Sequence, residues 1–599
     1  MTALTPADTA LLGRAFAQVK AGENTAADAT LADLSLAARG HPDALMVTAL
    51  ARKATGDMPA ALRLFKAATH SAPKHPAIWN SYANCLDELG DHDAAIVAYR
   101  RALAIDPQAS ASWINLALAA VAAKRWDDAA AAATRALALV PTDRRALTAA
   151  AMVAEGRGDL NEAVVAYSGA LAVAPGDAVV RHNLAAVLRR QGQIEAALAL
   201  VGPDAPVQSR LLRANLLADT GEFNAAIDTY HSVLSVRPAD LPTLAALAEL
   251  LPQLGQADAA LSAYHAALAS AAAPDLWRAA IGAAKGIDAH ATALAWARRA
   301  EAAHGHHSDW TLAAVDALSR LGNDAAALAL AHPLAADAPS AAAETMLAWL
   351  LLKAGDAGAA EPHALAASRL QPLGQTPWAL LTLIWRLLRD QREAWLADYD
   401  RLVIASEILP PPGWSSLAGF LGDLTETLTK RHLTLAAPAD QSLRGGTQTR
   451  GDLFATTDPV LLGLQASLVN SVEAGLASLV PDTAHPFLGR LAAGVTMAGS
   501  WSVRLRAQGF HISHIHHKGW LSSAFYVGVP PEINAGSEAG TLRFGVPDAA
   551  LGLDLSPRRI VTPSPGRLVI FPSYFWHGTA PFESAAPRLT VAFDALPRQ

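Results

Sequence analysis

A 34-residue recurrence constrains this chain more than any other feature. Gly22, Gly56, Gly90, Lys124, Gly158 and Gly192 stand 34 residues apart, and Pro73, Pro107, Pro141 and Pro175 keep the same spacing in phase with them. Each period is Ala-rich and reads as two helices around a tight turn, closed by a proline that cannot continue a helix. The clearest copy, A-I-W-N-S-Y-A-N-C-L-D-E-L-G-D-H-D-A-A-I-V-A-Y-R-R-A-L-A-I-D-P, runs from Ala77 to Pro107. Ala83, Ala95 and Ala102 let two antiparallel helices approach, Tyr99 fills the groove beside them, and Gly90 permits the turn. One such pair cannot bury its own apolar face, so stacking on neighbours is obligatory.

The period then loosens without stopping: Gly221, Gly255, Gly286, Gly322 and Gly355 follow at intervals of 29, 34, 31, 36 and 33 residues. About eleven helical pairs result, with a final one near Arg389. This pattern resembles tetratricopeptide repeats over about two thirds of the chain. The resemblance implies an all-α solenoid with a protein or peptide partner on its concave face. Trp79, Trp113 and Trp126 read as packing residues of that array.

Composition excludes several classes. At 599 residues the chain is too long for one core, and 52% apolar residues suffice for large buried cores. A net charge of −7 with no basic cluster argues against nucleic-acid and anionic-membrane partners. The opening M-T-A-L-T-P-A-D has no signal-like pattern, and no apolar run is expected to reach membrane-spanning length, so a cytoplasmic location is expected. Cys85 is alone, which removes intrachain disulfides and thiolate metal sites.

The segment I-L-P-P-P-G-W, from Ile408, ends the helical period, because consecutive prolines fix an extended path. A boundary is expected there, with a helical array over 1–408 and a second domain over 409–599. In the second domain, helices are expected around Leu417 to Lys430 and Pro459 to Leu479, with a polar loop from Gln441. Short runs rich in Val, Phe, Trp and Tyr then predict strands at Ser500–Leu505, Phe510–His516, Leu521–Val529, Thr541–Phe544, Ile560–Val561, Arg567–Phe571 and Leu589–Phe593. Short strands punctuated by Gly and Pro indicate a sandwich or jelly roll.

The chemistry concentrates in S-H-I-H-H-K-G-W-L-S-S-A-F-Y-V (Ser513–Val527), F-P-S-Y-F-W-H-G-T from Phe571, and P-R-L-T-V-A-F-D from Pro587. On a strand, residues two apart share a face, so His514 and His516 project together and His577 can close a three-imidazole metal face. Arg588, with Thr590 on the same face, is a buried cation that needs an anion. A non-haem iron site using an α-keto diacid has these needs. A structural ion pair of Arg588 with Asp594 or Glu583 is the competing reading. His511 and His517 are expected on the opposite face. Tyr526 is a candidate co-substrate contact, Arg504 and Ser522 are weaker candidates, and Arg444 and Gln448 are candidates to face substrate.

From Gln441 to Phe593 these motifs, in this order, resemble the iron(II) and 2-oxoglutarate dependent oxygenases, including those fused to tetratricopeptide repeats. The resemblance implies a double-stranded β-helix (jelly-roll) domain with flanking helices, Fe(II) and 2-oxoglutarate as cofactors, and hydroxylation of a protein or peptide substrate. It implies metal ligation by His514 and His577, and co-substrate binding by Arg588, Thr590 and Tyr526. The family carries a carboxylate two residues after its first His, whereas this chain has His516 there and no Asp or Glu between Trp501 and Pro531. Either three imidazoles hold the metal, or His514 and His577 do so with water or chloride. Three rivals follow: a three-His cupin-like dioxygenase that does not use 2-oxoglutarate, a non-catalytic binding scaffold, and a small-molecule oxygenase.

Overall fold

A computed structural model describes residues 4–271, 273–434, 442–533, 536 and 538–598. It divides into two compact units, one comprising 1–191 with 195–204, the other 192–194 with 205–599. In the first, helical hairpins follow the sequence period: Pro42–Ala54 with Met58–Ser71, Pro76–Glu88 with His92–Ile105, Ser110–Ala122 with Trp126–Leu139, and Arg144–Arg157 with Leu160–Val173. Ala83, Ala95 and Ala102 are buried at the crossings, and Tyr99 donates to Asn84 Oδ1 at 2.6 Å. Trp79 and Trp113 pack partly buried against this core, each indole N–H donating to the carbonyl six residues before it. The expected turn positions are left-handed, including Lys124 at φ 56°.

The second unit continues the hairpins from Val207–Thr220 to Gln375–Leu388. One turn differs from expectation. The helix Pro274–Gly286 absorbs Gly286, and the left-handed residue is Asp288, φ 59°.

The same unit holds two antiparallel sheets. Their strands are β1 (Ile404–Glu407), β2 (Leu443–Gln448), β3 (Gly494–His511), β4 (Leu521–Gly528), β5 (Leu542–Phe544), β6 (Arg559–Val561), β7 (Arg567–Pro572), β8 (His577–Thr579) and β9 (Arg588–Arg598). One sheet has the order β1-β7-β4-β9-β3-β2 and the other β6-β5-β8. Phe544 on β5 meets Phe571 on β7 edge to face at 4.9 Å, joining the two sheets in a sandwich. β1 lies just before the expected boundary at 408 and pairs with β7.

Three expectations are corrected. The polar stretch after Gln441, itself outside the described residues, forms edge strand β2. A bulge at Gly445 (φ 68°) and the absence of a side chain at Gly446, where a Cβ would stand 2.6 Å from Arg504 O, let it lie against β3. The strand expected over Phe510–His516 ends at His511, and His514 keeps only an isolated bridge to His577. The helix Pro459–Ala477 is long and apolar enough to cross a membrane by length and composition. Its buried Leu461, Leu464, Leu468, Val472 and Leu476 follow helical spacing and join the core around the sheet.

His432 packs behind β2 and β3, its ring nitrogens 2.9 Å from Thr447 Oγ1 and 3.1 Å from Ser502 Oγ. Burial, with Arg504 nearby, pulls it down to about 4. The unfolded chain therefore binds this proton below about 6.5 and the folded chain only below about 4. Its contribution is intact above pH 6.5 and is lost as pH falls through that window, by up to about 3 kcal/mol. His432→Gln is expected to flatten the pH dependence of stability between about 4 and 6.5 by nearly one proton. An unchanged slope in urea unfolding across that range would refute this.

Candidate metal and co-substrate site

The site is assembled by backbone pairing before any side chain acts. His514 and His577 exchange backbone hydrogen bonds of 2.9 and 3.0 Å, and His516 N donates to Ser573 O at 3.0 Å. Gly578 permits that approach, since a Cβ there would stand 2.9 Å from His511 O. Side-chain nitrogens of His514, His516 and His577 lie within 4.8 Å of one another.

Each ring is oriented by its other nitrogen. His514 Nδ1 faces Ile512 O at 2.9 Å and His577 Nδ1 faces Phe575 O at 2.9 Å. A carbonyl only accepts, so each Nδ1 carries the proton and each Nε2 keeps a lone pair. His516 Nδ1 donates to Asp594 Oδ1 at 2.6 Å, and its ring stacks on Trp501. His514 Nε2 and His516 Nε2 stand 3.2 Å apart. Burial, then repulsion from His516, holds His514 down at about 3, and burial keeps His577 well below the ordinary histidine range. Three imidazoles whose ring nitrogens converge are a fitting donor set for a divalent first-row metal such as Fe(II).

The same cavity, about 1080 Å³, extends to Arg588, Thr590 and Tyr526. Arg588 is 2% exposed, and burial lowers its pKa. Its Nη1 donates to Gly540 O at 2.6 Å, while its Nε and the buried Tyr526 hydroxyl have no hydrogen-bond partner among the described residues. The guanidinium lies 5.8 Å from the ring centroids of both Tyr526 and Phe582. Neither competing ion pair forms: Asp594 is engaged by His516 and Ser522, and Glu583 accepts from Gln508 at 3.1 Å. A buried cation beside an unsatisfied hydroxyl suits a carboxylate, which accepts from both.

Other candidates divide. Arg444, Gln448 and Trp501 line the cavity; Ser522 bonds Asp594, and His517, expected on the far face, also lines the cavity while approaching Thr376 Oγ1 at 3.0 Å on a helix of the array. His511, expected on the far face, also lines the cavity, with Nδ1 2.9 Å from Ser442 Oγ, because the chain leaves the strand after it. Asp594 is the functional-site residue not anticipated as a neighbour of His516. Strand parity could have found it, since Arg588, Thr590, Ala592 and Asp594 share one face of β9. The cavity's far wall comes from helices before the sheet and their turns, including Lys285, Asp288, Asp316 and Arg320.

Comparison with known proteins finds two kinds of family match in this chain. A family model described as "Putative 2OG-Fe(II) oxygenase" matches residues 499–594, and tetratricopeptide-repeat models match 46–110 and 88–153. No match is found among curated proteins. Among solved structures, a tetratricopeptide repeat protein from Parabacteroides merdae is 17% identical, covers 39% of this chain and 93% of its own, and has a TM-score of 0.33. PilF of Pseudomonas aeruginosa is 18% identical over 34% of this chain and 94% of its own, with a TM-score of 0.30. MamA from Desulfovibrio magneticus is 14% identical over 33% and 96%, with a TM-score of 0.23. The chain thus carries tetratricopeptide repeats ahead of a C-terminal domain matched by the iron(II) and 2-oxoglutarate oxygenase family.

Proposed function

We propose that this protein is an Fe(II)- and 2-oxoglutarate-dependent dioxygenase that hydroxylates a protein or peptide side chain presented by the repeat array. The observation that carries the proposal is the meeting, in one cavity, of three converging imidazoles with a buried guanidinium that has no acid partner among the described residues. His514, His516 and His577 would hold the iron. Arg588, Tyr526 and Thr590 would bind the far carboxylate of the keto diacid and orient it. When bound, iron and 2-oxoglutarate supply oxidation by dioxygen, with the keto acid released as succinate and carbon dioxide.

Support for a macromolecular substrate comes from the cavity wall. Lys285 pairs with Asp316 at 2.5 Å and Arg320 approaches Asp548 at 3.8 Å, so the helical side is polar and held in place by ion pairs. Such a wall suits the amide groups of a peptide, and tetratricopeptide repeats generally mediate protein–protein contacts.

The test is succinate formation by the full chain with Fe(II), 2-oxoglutarate and dioxygen. His514→Ala and His577→Ala are each expected to lower it at least about 100-fold. Succinate formation retained in either variant would reject the assignment of that histidine as a metal ligand, and dioxygen use without succinate would reject this function in favour of a keto-acid-independent oxygenase.

A further inference from the structure

We infer that Asp594 supplies the carboxylate that this site lacks among its direct ligands, acting on the metal through His516. The inference rests on the metal-centre reading above and assigns Asp594 as a positioning residue.

The three imidazoles are not equivalent. His514 and His577 each rest Nδ1 on a backbone carbonyl two residues earlier, whereas His516 alone rests on a carboxylate, 2.6 Å away. Asp594 is itself held: Ser522 Oγ donates to its Oδ1 at 2.7 Å, and Ser573 Oγ lies 2.8 Å from Ser522 Oγ. The backbone at Gly519 closes over this group; a Cβ there would clash with Ser573 Oγ and stand 3.1 Å from Asp594 Cγ. The Ser522 hydroxyl thus holds the carboxylate beside His516.

Two consequences follow. A carboxylate accepting from Nδ1–H fixes the ring and raises the basicity of Nε2, the atom facing the other two histidines. Charge is also balanced. Three neutral imidazoles bring no charge, and Asp594 behind them brings one negative, the same total as two imidazoles and one directly bound carboxylate. Its side chain is only 14% exposed, so water screens that charge weakly.

The test is Co(II) titration of the full chain by visible absorption, with a thermal melt of the metal-free protein as the folding control. Asp594→Asn keeps the shape and removes the charge; it is expected to weaken Co(II) binding about 10- to 100-fold and to shift the absorption bands. In a His516→Ala background the same change is expected to matter less than about 2-fold, because the path from Asp594 to the metal is gone. The double variant H516D/D594N returns the carboxylate to direct ligation and is expected to recover affinity to within about 3-fold of the starting protein. If Asp594→Asn does not fold, Ser522→Ala, which removes the hydroxyl that holds the carboxylate, carries the test and is expected to weaken Co(II) binding about 3- to 10-fold. Unaltered affinity in Asp594→Asn, an equal loss in the His516→Ala background, or no recovery in the double variant overturns the inference. Failure of the unsubstituted chain to bind Co(II) would instead overturn the metal-centre reading itself.

Discussion

Arg588→Met is expected to weaken 2-oxoglutarate binding at least about 30-fold while the protein without co-substrate becomes no less stable, and by about 1 kcal/mol more stable if Met fills the space. The two effects share a cause. Arg588 is almost fully buried at the start of β9, with Nη1 on Gly540 O and no partner at Nε among the described residues. A desolvated guanidinium without an acid costs the fold free energy, and a long apolar side chain removes that cost. The same desolvation makes the cation a strong partner for a carboxylate that enters, because little water competes. Isothermal titration with 2-oxoglutarate and a melt of each protein measure both quantities. A variant that loses stability yet binds 2-oxoglutarate normally would show Arg588 to be structural.

A chain starting at residue 409 is expected not to fold, whereas one starting at residue 340 is expected to fold and to bind metal. The hydrophobic core around the sheets runs without interruption from Ala348 to Ala595. Trp576 donates to Ala379 O at 2.9 Å, Tyr574 to Leu396 O at 2.8 Å, and Arg386 to Gly545 O at 2.8 Å and Ser556 O at 2.7 Å. Cutting at 409 removes β1 from its pairing with β7 and strips buried Leu380, Ile384, Trp385, Leu396, Tyr399 and Leu402 from that core. At about 1.5–3 kcal/mol for each large apolar side chain, the loss exceeds the usual total stability of a domain. Near-ultraviolet circular dichroism and a thermal melt of both fragments decide the matter. A cooperative transition in 409–599 would refute the expectation. If 409–599 folds and turns over substrate as the full chain does, the small-molecule reading replaces the peptide one.

Much of the molecule was legible because its signals are local. A left-handed turn is a property of one residue and its neighbours, so the recurrence from Gly22 located the turns as far as Gly192 without tertiary information. Where local and tertiary demands diverged, the reading slipped, as at Gly286, where the helix continues and Asp288 turns instead. Strands β4, β5, β7 and β9 were legible as β-branched and aromatic runs, whereas β1, β2 and β8 were not. I-A-S-E and H-G-T are too short to show alternation, and L-R-G-G-T-Q has the composition of a loop until an edge pairs with it.

For the candidate site, motif order linked His514, His516, His577 and Arg588 although more than seventy residues separate the first from the last. The strand argument for His514 and His516 reached the observed convergence by a route the chain does not take, since both residues lie beyond the end of β3.

By itself the sequence determined the repeat period, the presence of a β-region and the residue types of the site, because each is written in spacing and composition. Only the tertiary structure decided which nitrogen of each imidazole faces inward, that Asp594 stands behind His516 rather than beside Arg588, and that array helices wall the cavity. Those outcomes depend on strand register and on carbonyls brought in from distant segments. Such contacts are selected by packing the whole core at once, and no stretch of chain encodes them alone.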